Sequence, residues 1–199
     1  MTHPDPKILL LVALPAELGA ATAAALAERC DICYTGIGKI CAYEATLSAL
    51  MQSDYDIVIN AGTCGSFRHP FATVLRPSRV AQGDAYVGTD FATSEEELLS
   101  GDSNTVIVSG DNFIGEDTPE SYRNAIAGYD CMDMESYAIV RAIKFYASKY
   151  SKPMPRIFMT KVVSDGADGS IGDWASRLKT LHPTLLEAIE RTINEAISK

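Results

Sequence analysis

Four apolar stretches, none alternating with polar residues, limit this chain more than any other feature. Residues 8–13 read ILLLVA, 56–59 DIVI, 105–108 TVIV and 157–163 IFMTKVV. A strand with one wet face alternates apolar and polar side chains. An unbroken apolar run needs cover on both faces, which helices on either side of a central parallel sheet supply. Helical patterns fill the gaps: residues 16–27 and 42–51 are rich in Ala and Leu. Within 134–150, Ala138, Ile139, Ala142, Ile143 and Tyr146 return to one face at helical spacing. Residues 178–197 read as a closing helix in which Pro183 marks a break or restart. This alternation predicts an α/β fold, one domain over residues 1–199 with a large mixed central sheet flanked by helices. Residues 66–104, with RPSR, QGD and TSEEELLSGDS, break the rhythm, and loops and short antiparallel strands are expected there.

Composition narrows the function classes. With 47% apolar and 22% charged residues, a 199-residue chain can bury one core without disulfide or metal staples. The formal charge of −9 argues against nucleic acid or an anionic membrane as a partner. The cysteines number five, an odd count, and the polar opening MTHPDPK does not read as a secretory leader, so a reducing cytoplasm is expected. Cys30 and Cys33 form a CxxC, but no second CxxC follows and His3, His69 and His182 are scattered. No metal or other cofactor is expected, and no Ser/His/Asp triad is indicated.

The polar residues that follow each apolar run are more informative. Glu17 follows the first, Thr63-Cys64-Gly65 the second, Asp111-Asn112-Phe113-Ile114 the third and Ser164-Asp165 the fourth. Open α/β sheets bind ligands beyond the carboxyl ends of their strands, so these tips would converge on one crevice. Each also has a plainer reading. Glu17 suits an exposed first helical turn, Glu135 a helix cap, Ser164-Asp165 an N-cap, Phe113 the core, and NAGTCGS (60–66) a tight turn after its strand. Jointly, the placement points to an enzyme of small molecules.

Five stretches in order, TGIGKICAYEAT (35–46), INAGTCGS (59–66), VSGDNFI (108–114), MDMESYAI (132–139) and VVSDGAD (162–168), resemble the nucleoside phosphorylase and nucleosidase superfamily. The similarity is greatest to its hydrolytic branch, the 5′-methylthioadenosine/S-adenosylhomocysteine nucleosidases. The resemblance implies a single α/β domain around a partly barrel-like mixed sheet, commonly a homodimer, acting on an adenine nucleoside with water as nucleophile. It implies Asp165 as the acid at purine N7, aided by Ser164. Glu135 would hold the ribose hydroxyls with Met134 packed on the sugar, and Phe113 would stack on the base with the Ile114 backbone at its edge. Thr63, Cys64 and Gly65 would lie beside base and sugar, and Glu17 would activate the water.

The chemistry suits these residue types. A purine leaves more readily once N7 accepts a proton, and positive charge growing on the sugar favours a nearby carboxylate. Phosphorolysis would need cationic clamps, and ALPAELGA at the first strand exit has none; Arg68 alone is a weak candidate. Residues 85–98 are trimmed where the family builds part of the 5′ pocket. That leaves room for a bulkier substituent, as in 6-amino-6-deoxyfutalosine of menaquinone synthesis. A phosphate-dependent purine nucleoside phosphorylase and a non-catalytic nucleoside-binding protein are the other readings.

Overall fold

The computed structural model describes residues 5–87, 90–97, 104–115, 117–167 and 174–198, and His3 and Asp168 lie outside them. The chain runs β1 (Ile8–Val12), α1 (Pro15–Leu26), β2 (Asp31–Tyr34), α2 (Lys39–Gln52), β3 (Ile57–Gly65), β4 (Val74–Leu75), β5 (Arg79–Val87), β6 (Asp90–Glu97) and β7 (Val106–Ser109). It continues through α3 (Glu120–Ile126), β8 (Cys131–Asp133), α4 (Ser136–Tyr150), β9 (Arg156–Asp165) and α5 (Trp174–Ser198).

All the strands among the described residues join one nine-stranded mixed sheet in the order β2-β1-β3-β8-β7-β5-β6, with β9 on β3 and β4 on β9. The pairs β1–β2, β1–β3, β3–β9, β5–β7 and β7–β8 are parallel. The pairs β3–β8, β4–β9 and β5–β6 are antiparallel. β3 is the pivot. Its first half pairs with β1 only as far as Leu11↔Asn60, and its tip meets β8 at Gly65↔Met132. Changing neighbours along one strand curls the sheet around that tip, which is the partly barrel-like form the resemblance implies.

The unbroken apolar runs follow from burial on both faces. Along β1, Leu9 and Leu11 enter one core and Ile8, Leu10 and Val12 another. The first core is closed by α2 and α4 through Ala42, Leu50, Ile139 and Ile143. The second is closed by α1 and α5 through Leu18, Leu26, Leu181, Leu185, Ile189 and Ile193. Cys30 lies in the second core and Cys33 packs on the first, so the CxxC straddles the sheet.

Several expectations change. The NAGTCG stretch is no turn: β3 runs on to Gly65 because β9 stays paired with it after β1 has ended. In the region expected to hold short strands, β5 and β6 form a long antiparallel hairpin, and β5 is also paired with β7. Pro183 does not break α5, which is continuous across it. The short elements β2, α3 and β8 had no counterpart in the sequence reading.

Candidate active site

Five strand ends and one loop enclose a cavity of about 380 Å³, within the range of small-molecule pockets. Ala13, Leu14 and Glu17 come from the exit of β1, and Thr63, Cys64 and Gly65 from the tip of β3. Asn112, Phe113 and Ile114 follow β7, while Met132 to Glu135 belong to β8 and its exit. Ser164, Asp165 and Ala167 come from the end of β9, and Ile37 from the loop before α2. Every site residue expected from the sequence therefore lines this one cavity. Ile37, Asp133 and the tip of β8 are additions.

Glu17 is not an exposed first-turn residue; it is 4% exposed. Beyond Asn60 the edge of β3 has lost β1, and Glu17 takes the vacated place. Its Oε1 accepts from Thr63 N at 2.7 Å and Thr63 Oγ1 at 2.8 Å, and its Oε2 accepts from Leu14 N at 3.2 Å. Oε2 accepts one hydrogen bond and so keeps a second acceptor position. The close approach needs Gly62: a Cβ there would lie 2.8 Å from Glu17 Oε1, and its φ is +151°.

Glu135 precedes α4 but makes no side-chain cap to it. Its Oε1 accepts from Gly38 N at 2.9 Å, at the start of α2, and its Oε2 accepts from Met134 N at 3.2 Å. The TGIGK stretch thus orients a carboxylate, and Asp111 fastens the same loop by accepting from Lys39 N at 2.7 Å. Burial foremost, then the charge of Asp133, pushes the Glu135 carboxyl up to about 7; Lys161 opposes this.

A charged network runs from the cavity lining at Asp133 into the core beneath it. Lys161 Nζ stands 2.9 Å from Asp133 Oδ2 and donates to Asn60 Oδ1 at 3.2 Å. Asp133 also accepts from Ser109 Oγ at 2.7 Å and from the Ser136 hydroxyl, and Asn60 Nδ2 donates to Ser136 Oγ at 2.7 Å. Burial works against the ionised form of both partners. The Lys161 ammonium and the serine hydroxyls nonetheless hold Asp133 below the usual carboxylate range. Asp133 and Glu135 hold Lys161 above its ordinary value. The signal was available: a lysine inside an apolar strand covered on both faces must be paired.

Asp165 ends β9 beside Gly65, where a Cβ would come within 2.9 Å of Asp165 Oδ1. Among the described residues Asp165 caps no helix; its Oδ1 accepts from Ala167 N at 2.8 Å, as in an Asx-turn. Ser164 Oγ lies 2.8 Å from Asp165 Oδ2 and 3.3 Å from Cys64 O. One hydroxyl proton serves one acceptor at a time. An ionised Asp165 accepts it; a protonated Asp165 donates to Ser164, which then donates to the Cys64 carbonyl. The contact is compatible with both states of an acid. Phe113 is 54% exposed at the cavity rather than in the core.

Among the described residues, the cavity lining holds no Arg or Lys. Arg68 is half exposed, 3.9 Å from Asp130, and Arg29 donates to Asn194 on α5. No group of three or more His, Cys, Asp or Glu among the described residues is arranged to hold a metal ion, and none of their helices is long and apolar enough to cross a membrane.

A nine-stranded mixed sheet curled around a strand-end cavity, with helices on both sides, defines a nucleoside phosphorylase-like α/β fold. Solved structures of 5′-methylthioadenosine/S-adenosylhomocysteine nucleosidases share it. The Helicobacter pylori protein with butyl-thio-DADMe-Immucillin-A is similar at a TM-score of 0.74 and 17% identity, over 96% of this chain and 99% of that one. The Neisseria meningitidis protein with methylthio-immucillin-A gives 0.73 and 18%, over 96% and 99%. The Colwellia psychrerythraea protein with adenine gives 0.71 and 17%, over 98% and 96%. No family model matches the sequence, and no curated protein matches it.

Proposed function

We propose that the chain is a hydrolase that cleaves the N-glycosidic bond of an adenine nucleoside altered at its 5′ position, of the 5′-methylthioadenosine or S-adenosylhomocysteine type, releasing adenine. The observation that carries this reading is the meeting of Glu17, Glu135 and Asp165 on one cavity beside an exposed aromatic ring. The likeness in fold to nucleosidases solved with adenine or immucillins supports it.

In this reading the base stacks on Phe113 and Asp165 gives its proton to N7. The C1′–N9 bond breaks with its electron pair passing to the purine. Positive charge then develops at C1′ and the ring oxygen, and ionised Glu135 on the ribose hydroxyls stabilises that state more than the ground state. A water on the free position of Glu17 Oε2 attacks C1′ and loses its proton to Glu17, a general-base step worth roughly 10²–10⁴-fold. Exchange with solvent returns both carboxyls to their starting states. The buried Lys161 offsets the negative charge of Asp133 beneath Glu135, which eases ionisation of Glu135 when substrate arrives.

Water is favoured over phosphate because a dianion would meet carboxylates and no cation among the described lining residues. A homodimer belongs to the same proposal; Ile37 and Ile40, 52% and 73% exposed at and beside the cavity mouth, are apolar surface a second copy would cover.

The test compares kcat/KM for 5′-methylthioadenosine, S-adenosylhomocysteine and 6-amino-6-deoxyfutalosine, with and without phosphate. Preference for either of the first two without phosphate supports the proposal. Preference for the third moves the chain to the futalosine route, phosphate dependence makes it a phosphorylase, and binding without turnover makes it a binding protein.

A further inference from the structure

We propose that His182 is a positioning residue for Glu17, acting across the contact between α1 and α5. The inference rests on the reading of Glu17 as the group that readies water. Helix α1 is interrupted at Gly19, where φ is +68° and ψ is 162°. The interruption leaves the Glu17 segment as a single turn, and one turn of helix does not hold itself. Its conformation has to come from outside.

Three features fix it. Pro15 opens the turn with a fixed φ. Leu14 N and Thr63 bind the Glu17 carboxylate. The third is His182, whose ring fills the notch at the interruption. A Cβ on Gly19 would lie 2.7 Å from His182 Cε1 and 2.9 Å from Nδ1. His182 Nε2 lies 3.0 Å from the carbonyl oxygen of Ala16, the residue before Glu17. A carbonyl only accepts, so Nε2 carries the hydrogen in this contact.

The element that carries the ring is rigid: Leu181 and Leu185 on either side of it are 1% and 0% exposed in the core under α1. His182 does not line the cavity, so it touches no substrate. Its effect passes through one peptide unit to Glu17. A water-activating carboxylate is sensitive to such control, since a misplacement of about 1 Å costs a reaction about 10²-fold.

The test uses H182A and H182Q in the full chain, each assayed 20 °C below its own melting point. Gln keeps an N–H donor within reach of Ala16 O, whereas Ala leaves the notch empty. For H182A the expectation is a kcat lower by about 10- to 100-fold with KM within about threefold, because ground-state binding does not depend on Glu17. H182Q should recover most of the loss. The second readout is the backbone amide resonance of Thr63, which donates to Glu17. In H182A it should move toward its position in E17Q, and in H182Q it should stay near wild type.

Unchanged kcat in H182A, an unmoved Thr63 resonance, or failure of H182Q to recover either would overturn the proposal. Should wild type release no adenine from any nucleoside, the proposed function falls, and the Thr63 resonance alone decides whether His182 sets Glu17.

Discussion

Replacing Glu135 with Gln removes a charge that the fold holds at a cost. Glu135 is 7% exposed, and its carboxyl is raised from an ordinary 4.5 to about 7, chiefly by burial and next by Asp133. Between those two values the folded protein keeps a proton that the unfolded chain has released, so stability falls as pH rises through the window. The penalty is small below 4.5, grows across the interval and is complete above about 7. A shift of that size corresponds to about 3 kcal/mol at pH 8 and about 1 kcal/mol or less at pH 5. Gln keeps the acceptor for Gly38 N but turns a donor toward Met134 N, a loss of about 1 kcal/mol at every pH. E135Q should therefore be about 2 kcal/mol more stable than wild type at pH 8 and about equal at pH 5. In thermal melts of a chain this size that is a gain of about 4–8 °C at pH 8 only. A difference that is the same at both pH values, or a loss at pH 8, would refute the electrostatic account of Glu135.

Under the proposed function the same titration should also appear in activity. If ionised Glu135 is needed, log kcat/KM for the nucleoside should fall with unit slope below a pKa of about 7, and E135Q should lack that limb. K161M strands the buried Asp133 charge and should lose about 3–5 kcal/mol in denaturant titration, while K161M/D133N should regain part of it. The pair's contribution should persist across neutral pH. The lowered Asp133 contributes above the ordinary carboxylate range and loses that as pH falls through its folded value. The raised Lys161 contributes fully below 10.5 and loses that only as pH rises past its folded value. G62A should fold but lose adenine release by at least about tenfold, because its Cβ would displace Glu17 Oε1 from Thr63.

What the sequence disclosed follows the strength of its patterns. Runs such as ILLLVA and IFMTKVV could hardly be anything but strands covered on both faces, and polar residues that follow them line the cavity. The short strands were hidden for opposite reasons. β2 lies at the sheet edge with exposed ends, and its apolar run is only Ile32-Cys33-Tyr34. β8 is buried but three residues long, and it merges into the helical pattern that follows. The extension of β3 through NAGTCG was masked by its two glycines, which signal a turn in isolation. Pairing with β9 overrode that local preference. Lys161 carries its own signal: one charge in an apolar heptapeptide covered on both faces requires a buried partner, here Asp133. The meeting of His182 with Gly19 spans more than 160 residues and leaves no mark in either local sequence.

In the proposed reaction water readied by Glu17 attacks C1′ while Asp165 protonates the departing adenine. It is tested most directly by turnover of 5′-methylthioadenosine in ¹⁸O-labelled water without phosphate, with products read by mass spectrometry. Unlabelled adenine and a free methylthioribose carrying one ¹⁸O at C1 are expected, formed by wild type and lost in E17Q and D165N. Absence of adenine, a sugar 1-phosphate formed only when phosphate is added, or full turnover by either variant would contradict it.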